Sequence, residues 1–311
     1  MEKKYLPPIA VLPEDFPADP SLPEGCRVLR LQDDPLGVTF FGSVVYAERD
    51  GVPLHLQIFV PTAGLVPDGR RWPLIVYIVG SAFMQQDLDQ AVPELCDLCR
   101  RGYVVASVEY RHSGVAPFPA QAEDAKTAMR FMRLHAGEYQ VDPERTAYFG
   151  TSSGAHTALM AGITGNRWPD TALYGEVSAG ANAVVDWFGP TAIEWMSCYP
   201  STMDHVAPES PEGLLIGGKN VWEHPELAGP VDPAGYLSAE EPVPPILMMH
   251  GDRDILVPFN QSVRLYQRLR ELHKDVEFYK LLDASHGWGG FRSRAAWDVA
   301  DEFLRRKLDI R

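Results

Sequence analysis

The segment GTSSG at residues 150–154 follows a short apolar run and precedes a helical pattern. A G-x-S-x-G pattern at a strand-to-helix turn lets the middle serine project from the carboxyl edge of a sheet, because the small flanking residues leave room for a sharp turn. Ser152 is therefore the candidate nucleophile. Ser153 falls in the first turn of the helix, where only its backbone N–H is expected to matter. The alternative is a serine that merely caps the helix.

A serine hydroxyl is too weakly acidic to attack a carbonyl unaided, so it needs a base and a carboxylate that orients the base. His286 lies in LLDASHGWGG, a loop of small residues after the last predicted strand, whereas most other histidines fall in predicted strands, helices or an irregular segment. The loop after MMHG offers Asp254 as the carboxylate, with Asp252 as the alternative. These residues predict a Ser-His-Asp triad for acyl transfer.

A tetrahedral oxyanion also needs preorganised hydrogen-bond donors. The turn in YIVGSAFMQQD, after the first buried strand, is expected to supply the backbone N–H groups of Ser81 and Ala82, and Ser153 the third donor. The alternative is that this segment forms a simple tight turn. Aromatic side chains near the predicted site are candidates for lining the substrate pocket: Phe83, Trp187 and Trp288.

The elements that would position these residues alternate between strands and helices. After a predicted antiparallel hairpin that turns at Asp50-Gly51, six apolar runs are too short for helices: PLIVYIVG, YVVASVEY, RTAYFG, NAVVDWFG, PPILMMHG and VEFYKLLD. Unbroken apolar runs are typical of parallel strands that are covered on both faces. Helical patterns lie between them. The sequence therefore predicts an α/β fold: a mostly parallel central sheet with an antiparallel N-terminal hairpin and helices on both faces.

The domain organisation follows from interruptions of this alternation. Residues 1–36 are Pro-rich and predict an extended N-terminal segment, and residues 37–311 predict a single domain. Residues 200–243 are rich in Pro, Gly and acidic side chains and break the strand–helix alternation. We expect this segment to be an insertion at one end of the sheet or a partial lid.

Composition narrows the classes of partner. Lys and Arg number 28 and Asp and Glu number 42, so the formal net charge is −14. That charge argues against nucleic acid and anionic membranes as partners. The N-terminal residues lack an apolar run of signal-peptide length, which predicts a cytoplasmic protein. Cys96 and Cys99 form a lone C-x-x-C on a helical pattern, so buried thiols are favoured over a metal site.

Several longer segments carry a family resemblance: SVEYRHSGVAPFPAQAEDAKTAMRFM, VDPERTAYFGTSSGAHTALMAG, AVVDWFGPT, HGDRDILVPFNQS and ASHG. From about residue 40 to the end, the chain resembles α/β-hydrolase esterases related to the bifunctional feruloyl/acetyl-xylan esterase group. The chain order Ser152, Asp254, His286 is the α/β-hydrolase order. The resemblance implies hydrolysis of carboxylic esters, often acyl groups on plant carbohydrates, without a cofactor. The substrate would be a small-molecule or oligosaccharide ester, and a homo-oligomer is compatible with it.

One segment departs from the family pattern. The oxyanion turn usually reads H-G-G-G or H-G-G-x-[WF], whereas this chain has VGSAF at residues 79–83, which puts the geometry of the turn and the rate in question. Prolyl-peptidase-like and aryl-formamidase-like hydrolases on the same scaffold are alternatives, and so is a non-catalytic binding protein. Three polar residues near the motifs are expected to be structural: Asp124, His156 and Asp186.

Overall fold

The computed structural model describes residues 5–11, 15–29, 36–63, 69–168 and 173–310. The chain divides into two units, 1–34 and 35–311. The described part of the first unit contains no strand and no α-helix. The second unit contains every strand and helix named below.

The second unit is built on an eight-stranded sheet with the order β1-β2-β4-β3-β5-β6-β7-β8. The β1–β2 and β2–β4 pairs are antiparallel, and all other pairs are parallel. The strands are β1 (Gly37–Arg49), β2 (Val52–Thr62), β3 (Trp72–Ile78), β4 (Val104–Val108), β5 (Val141–Thr151), β6 (Ala183–Trp187), β7 (Ile246–Gly251) and β8 (Val276–Leu281). The predicted hairpin and the six predicted parallel-type strands are confirmed.

The helices are α1 (Val92–Arg100), α2 (Ala120–Leu134), α3 (Ser153–Thr164), α4 (Pro211–Leu215), α5 (Pro225–Ala228), α6 (Asn260–Glu271) and α7 (Arg294–Lys307). Of these, α2, α3 and α6 cover one face of the sheet, and α1 and α7 cover the other. All seven residues of β3 are buried. Val76 and Ile78 face a core shared with α2, α3 and α6, whereas Ile75 and Tyr77 face a second core shared with α1 and α7. Because successive side chains of a strand point to opposite faces, an unbroken apolar strand must be covered on both. The predicted α/β-hydrolase fold is confirmed.

Residues 200–243 contain α4, α5 and short 3-10 turns but no strand. The segment buries its own apolar cluster, in which Leu215, Val221 and Val231 pack with Phe83. The side chains of His205 and Glu212 are buried and hydrogen-bonded, with Nδ1 and Oε2 2.9 Å apart. This irregular segment is therefore packed against the turn that follows β3. Its movement as a lid stays a prediction.

The cysteines show no disulfide: Cys99 is buried, Cys96 is half-buried, and Cys26 and Cys198 are exposed. Within the described ranges, no group of three or more His, Cys, Asp or Glu side chains is placed to hold a metal ion. A membrane-crossing helix is likewise not found in the part of the chain that the structure describes.

Candidate active site

The nucleophile turn joins β5 to α3. Ser152 lies between the two elements, with φ 52° and ψ −128°, in a strained conformation that points its side chain away from both. The flanking glycines permit the close packing that this turn needs. A Cβ atom on Gly150 would lie 2.2 Å from the carbonyl oxygen of Gly154, and one on Gly154 would lie 2.1 Å from that of Ile78. The G-x-S-x-G pattern therefore reflects backbone contacts between β3, β5 and α3.

The three residues predicted as a triad lie in one hydrogen-bonded chain. His286 Nε2 is 2.8 Å from Ser152 Oγ, and His286 Nδ1 is 2.8 Å from Asp254 Oδ2. Because an ionised carboxylate can only accept, Nδ1 carries a proton and donates it to Asp254, which leaves Nε2 to accept from the serine hydroxyl. The ring of Phe188 packs edge-on against the imidazole, with centroids 4.7 Å apart. The arrangement can remove a proton from Ser152.

The Asp254 carboxylate is fully buried, and it accepts hydrogen bonds from several protein groups. Its Oδ1 accepts hydrogen bonds from the backbone N–H groups of Leu256 and Val257, both at 2.9 Å. Burial by itself would raise the pKa of Asp254, but hydrogen bonds from His250 and His286 outweigh it and hold the pKa well below its ordinary value. Asp254 is therefore a carboxylate that can orient the imidazole and stabilise its protonated form.

Asp252, the alternative carboxylate, lies elsewhere in the same loop. Its Oδ1 accepts from the backbone N–H of Asp283 at 2.8 Å, and its Oδ2 is 4.0 Å from Lys280 Nζ. These contacts join the loop after β7 to the end of β8. Asp252 thus supports the loop that precedes His286 and makes no hydrogen bond to the imidazole.

His250 is a supporting residue that the sequence analysis did not single out. Its Nε2 is 3.0 Å from the carbonyl oxygen of Val257 and 3.2 Å from Asp254 Oδ2, and its Nδ1 is 2.7 Å from Ser262 Oγ. Since Nε2 faces two acceptors, it carries a proton, and it contacts Oδ2, the carboxylate oxygen that also accepts from His286. The only sequence signal was its place at the end of β7, four residues before Asp254.

The oxyanion turn differs from expectation at Ser81. The Ser81 N–H donates to Ser153 Oγ at 2.9 Å, and the Ser81 hydroxyl donates to the Met84 carbonyl at 2.6 Å. Both donors of Ser81, its N–H and its hydroxyl, are therefore occupied. The Ser153 hydroxyl, which was expected to be dispensable, is the acceptor for the Ser81 N–H. The backbone N–H groups of Ala82 and Ser153 donate to no acceptor in the described part of the chain. These two remain as candidate oxyanion donors.

A cavity of about 390 Å³ opens beside Ser152. The three predicted aromatic residues all line it: Phe83 and Trp187 are 1% and 2% exposed, and Trp288 is 62% exposed. The segment at residues 200–243 contributes polar side chains to the wall through His205 and Glu212. Aromatic side chains thus form part of the cavity lining, and one of them, Trp288, is exposed.

The three polar residues expected to be structural do not line this cavity. Asp124 accepts from the backbone and guanidinium of Arg111, which ties α2 to the chain after β4. Burial lowers the pKa of His156 to about 4, and its Nε2 lies 2.8 Å from the Val231 carbonyl oxygen. Burial raises the pKa of Asp186 to about 7, although it accepts a hydrogen bond from the Gly189 N–H.

Comparison with known sequences decides the family. A sequence model of the BD-FAE family matches residues 56–269. The chain belongs to this family. The resemblance inferred from its motifs is thereby confirmed.

Relatives of this BD-FAE protein include Esterase LipQ of Mycobacterium tuberculosis, 27% identical over 76% of this chain and 56% of LipQ. The Probable carboxylic ester hydrolase LipM of the same organism is 27% identical over 83% of this chain and 57% of LipM. The chain thus spans about half the length of these curated relatives.

Solved structures of esterases resemble this chain in fold. A truncated carbohydrate esterase from gut microbiota is 27% identical, with a TM-score of 0.75 over 87% of this chain and 96% of that one. The esterase Est2 of Thermogutta terrifontis, with propionate bound, is 25% identical, with a TM-score of 0.67 over 87% and 94% of the two chains.

Proposed function

We propose that this BD-FAE protein is a serine carboxylesterase that works through an acyl-enzyme. The observation that carries the proposal is the hydrogen-bonded chain from Ser152 through His286 to the buried Asp254, beside a cavity. Relatives named as esterases and carboxylic ester hydrolases support the same reaction class. A non-catalytic binding protein would not need to keep a charged, hydrogen-bonded triad in this geometry.

Acylation begins when an ester carbonyl enters the cavity. Ser152 Oγ attacks the carbonyl carbon while its proton moves to His286 Nε2, 2.8 Å away. Asp254 stays ionised and stabilises the imidazolium. The negative charge on the carbonyl oxygen is met by the N–H groups of Ala82 and Ser153. The intermediate then collapses, and the departing alcohol takes the proton from His286.

Deacylation repeats these steps with water. His286 removes a proton from a water molecule, which attacks the acyl carbon, and the same two N–H groups stabilise the second oxyanion. Collapse releases the carboxylic acid and returns the proton to Ser152. Each step uses only side chains and backbone groups of this chain.

The acyl group is proposed to be acetyl or hydroxycinnamoyl, carried on a plant carbohydrate. The family resemblance supports this class, and so do structural neighbours named as a carbohydrate esterase and a bifunctional GH43-CE protein of Bacteroides eggerthii. The aromatic wall formed by Phe83, Trp187 and Trp288 suits a flat acyl group or a sugar face. Aryl-formamidase-like and prolyl-peptidase-like activities are the alternatives on this scaffold.

Residues 200–243 are proposed to act as a partial lid, since His205 and Glu212 reach the cavity wall. Hydrogen exchange should then show greater protection of this segment when a substrate analogue binds. Exchange that does not change on binding would leave the segment a fixed structural element.

A fluorophosphonate probe followed by peptide mapping tests the reaction class. The adduct should form on Ser152 and be absent from the Ser152→Ala variant. A panel of aryl acetates, butyrates and octanoates, hydroxycinnamate esters, acetylated xylan, an N-formyl arylamine and a prolyl peptide then tests the bond and the acyl group. Labelling at another residue, or hydrolysis of the amides alone, would overturn the esterase proposal.

A further inference from the structure

The oxyanion turn is held in a conformation that its residues do not favour. Ala82 and Phe83 have φ of 53° and 59°, in the left-handed region. Left-handed backbone is unfavourable for any residue that carries a Cβ atom. The backbone at Ala82 carries a proposed oxyanion donor. The surrounding structure must therefore supply contacts that hold this turn in place.

Those contacts come from the two residues that flank the nucleophile. The Gly80 N–H donates to Thr151 Oγ1 at 3.0 Å, and the Ser81 N–H donates to Ser153 Oγ at 2.9 Å. Successive N–H groups of the turn are thus bound by hydroxyls on either side of Ser152. Ser153 is 1% exposed, so its hydroxyl is shielded from solvent that would compete for this bond. The attacking oxygen and the Ala82 N–H are aligned through these two bonds.

A third hydroxyl, that of Tyr110, contacts the turn at Ser81. Tyr110 is 1% exposed, and its hydroxyl lies 3.0 Å from Ser81 Oγ. The Ser81 hydroxyl donates to the Met84 carbonyl at 2.6 Å. The Tyr110 hydroxyl faces two acceptors, Ser81 Oγ at 3.0 Å and the Val79 carbonyl oxygen at 3.5 Å. Burial raises the pKa of Tyr110, so its hydroxyl keeps the proton that it donates. Gln86 completes the support, accepting from the Tyr110 N–H and donating to the Met84 carbonyl.

We propose that the side-chain hydroxyls of Thr151, Ser153 and Tyr110 are positioning groups for the oxyanion turn. They act through Gly80 and Ser81 and align the Ala82 N–H with the position of the oxyanion. Ser153 then contributes in two ways, with its N–H as a donor and its hydroxyl as a support. This inference rests on the proposed esterase function, since it concerns the same developing charge.

The test compares three variants that each remove one hydroxyl: Ser153→Ala, Thr151→Val and Tyr110→Phe. Ser113→Ala is the matched control: Ser113 is buried, its hydroxyl has no partner among the described residues, and only its backbone N–H contacts the turn, at Phe83. Steady-state kinetics on an aryl acetate should be combined with inhibition by an aryl trifluoromethyl ketone, which forms a tetrahedral oxyanion on the serine, and with thermal melts.

We expect Ser153→Ala to lower kcat by about 10- to 100-fold, less than the roughly 10²- to 10³-fold cost of deleting an oxyanion donor. Thr151→Val and Tyr110→Phe should lower it by about 5- to 20-fold. KM should stay within about twofold, and the inhibition constant of the ketone should rise in proportion to the loss of kcat. A purely structural defect would lower the melting temperature without this proportionality. Ser113→Ala should match wild type.

If wild type hydrolyses the ester and the folded Ser153→Ala and Thr151→Val variants stay within threefold of it, the positioning role is overturned while the esterase function stands. Should Ser153→Ala fail to fold, Thr151→Val and Tyr110→Phe decide the matter by the same criteria. A wild-type protein that hydrolyses no ester and forms no Ser152 adduct overturns the proposed function, and this inference with it.

Discussion

The two sides of Ser152 are built differently. On the triad side, Asp254 is held by backbone N–H groups and two histidines, and its charge in turn orients His286. On the oxyanion side, no charged group takes part, and a strained turn is bound by neutral hydroxyls. The triad side thus depends on a few chemically distinctive side chains, whereas the oxyanion side depends on backbone placement. The predictions below test this difference.

The largest effect is expected at the nucleophile. Ser152→Ala should lower kcat by at least about 10⁴-fold, because the triad acts as a unit. The loss should far exceed that of any hydroxyl on the oxyanion side, including the adjacent Ser153. Single-turnover assays with an aryl ester would measure both variants. Comparable losses at the two serines would contradict the assignment of Ser152 as nucleophile.

The next largest effect separates the two acidic residues after β7. Asp254→Asn should lower kcat by about 10³- to 10⁴-fold, because an amide cannot stabilise the imidazolium or hold the productive tautomer. Asp252→Asn should stay within about threefold, since Asp252 contacts the backbone of Asp283 instead. Steady-state kinetics on one ester at one pH suffices. The reverse order would mean that Asp252 orients the base.

A smaller effect is expected where a backbone donor is removed. Ala82→Pro deletes the N–H and is incompatible with the left-handed φ, so it should cost about 10²-fold or more in kcat. Ser81→Gly keeps the N–H that binds Ser153 and should stay within about tenfold. A thermal melt checks folding. If the folded proline variant keeps full activity, the oxyanion donors lie elsewhere.

The smallest effect on catalysis is expected at Asp186, near the end of β6. Burial raises its pKa from 3.8 to about 7, so the folded protein keeps a proton that the unfolded chain releases between these pH values. Asp186 should therefore lower stability as pH rises from about 4 to 7, by an amount on the order of a few kcal/mol, whereas His156, whose pKa burial lowers to about 4, contributes in the opposite direction.

Asp186→Asn should remove the Asp186 contribution, so the stability of the variant relative to wild type should rise between pH 5 and pH 8. Its kcat should stay within about threefold of wild type, because the side chain does not line the cavity. Urea unfolding at pH 5 and pH 8 would measure the difference. An Asn variant that loses as much stability as wild type across this interval would show that other groups are responsible.

Much of the fold and of the triad could be predicted from the sequence, because the signals are local. Apolar runs such as the one in β3 require two covered faces, and glycines around Ser152 permit one kind of turn. A serine after β5, an aspartate after β7 and a histidine after β8 are recognisable from residue type and order alone. His250 escaped notice because a histidine that supports a carboxylate looks the same in sequence as one that packs in a core.

What the sequence by itself determined is therefore the sheet, its helices and the three residues with distinctive chemistry. The tertiary structure alone decided that Asp254 rather than Asp252 meets His286, and that Ser81 gives its N–H to Ser153. The physical reason is that every residue except proline carries a backbone donor, so residue type does not reveal which donor is free. That depends on acceptors brought near by folding, such as Ser153, which is 72 residues from Ser81 in the chain.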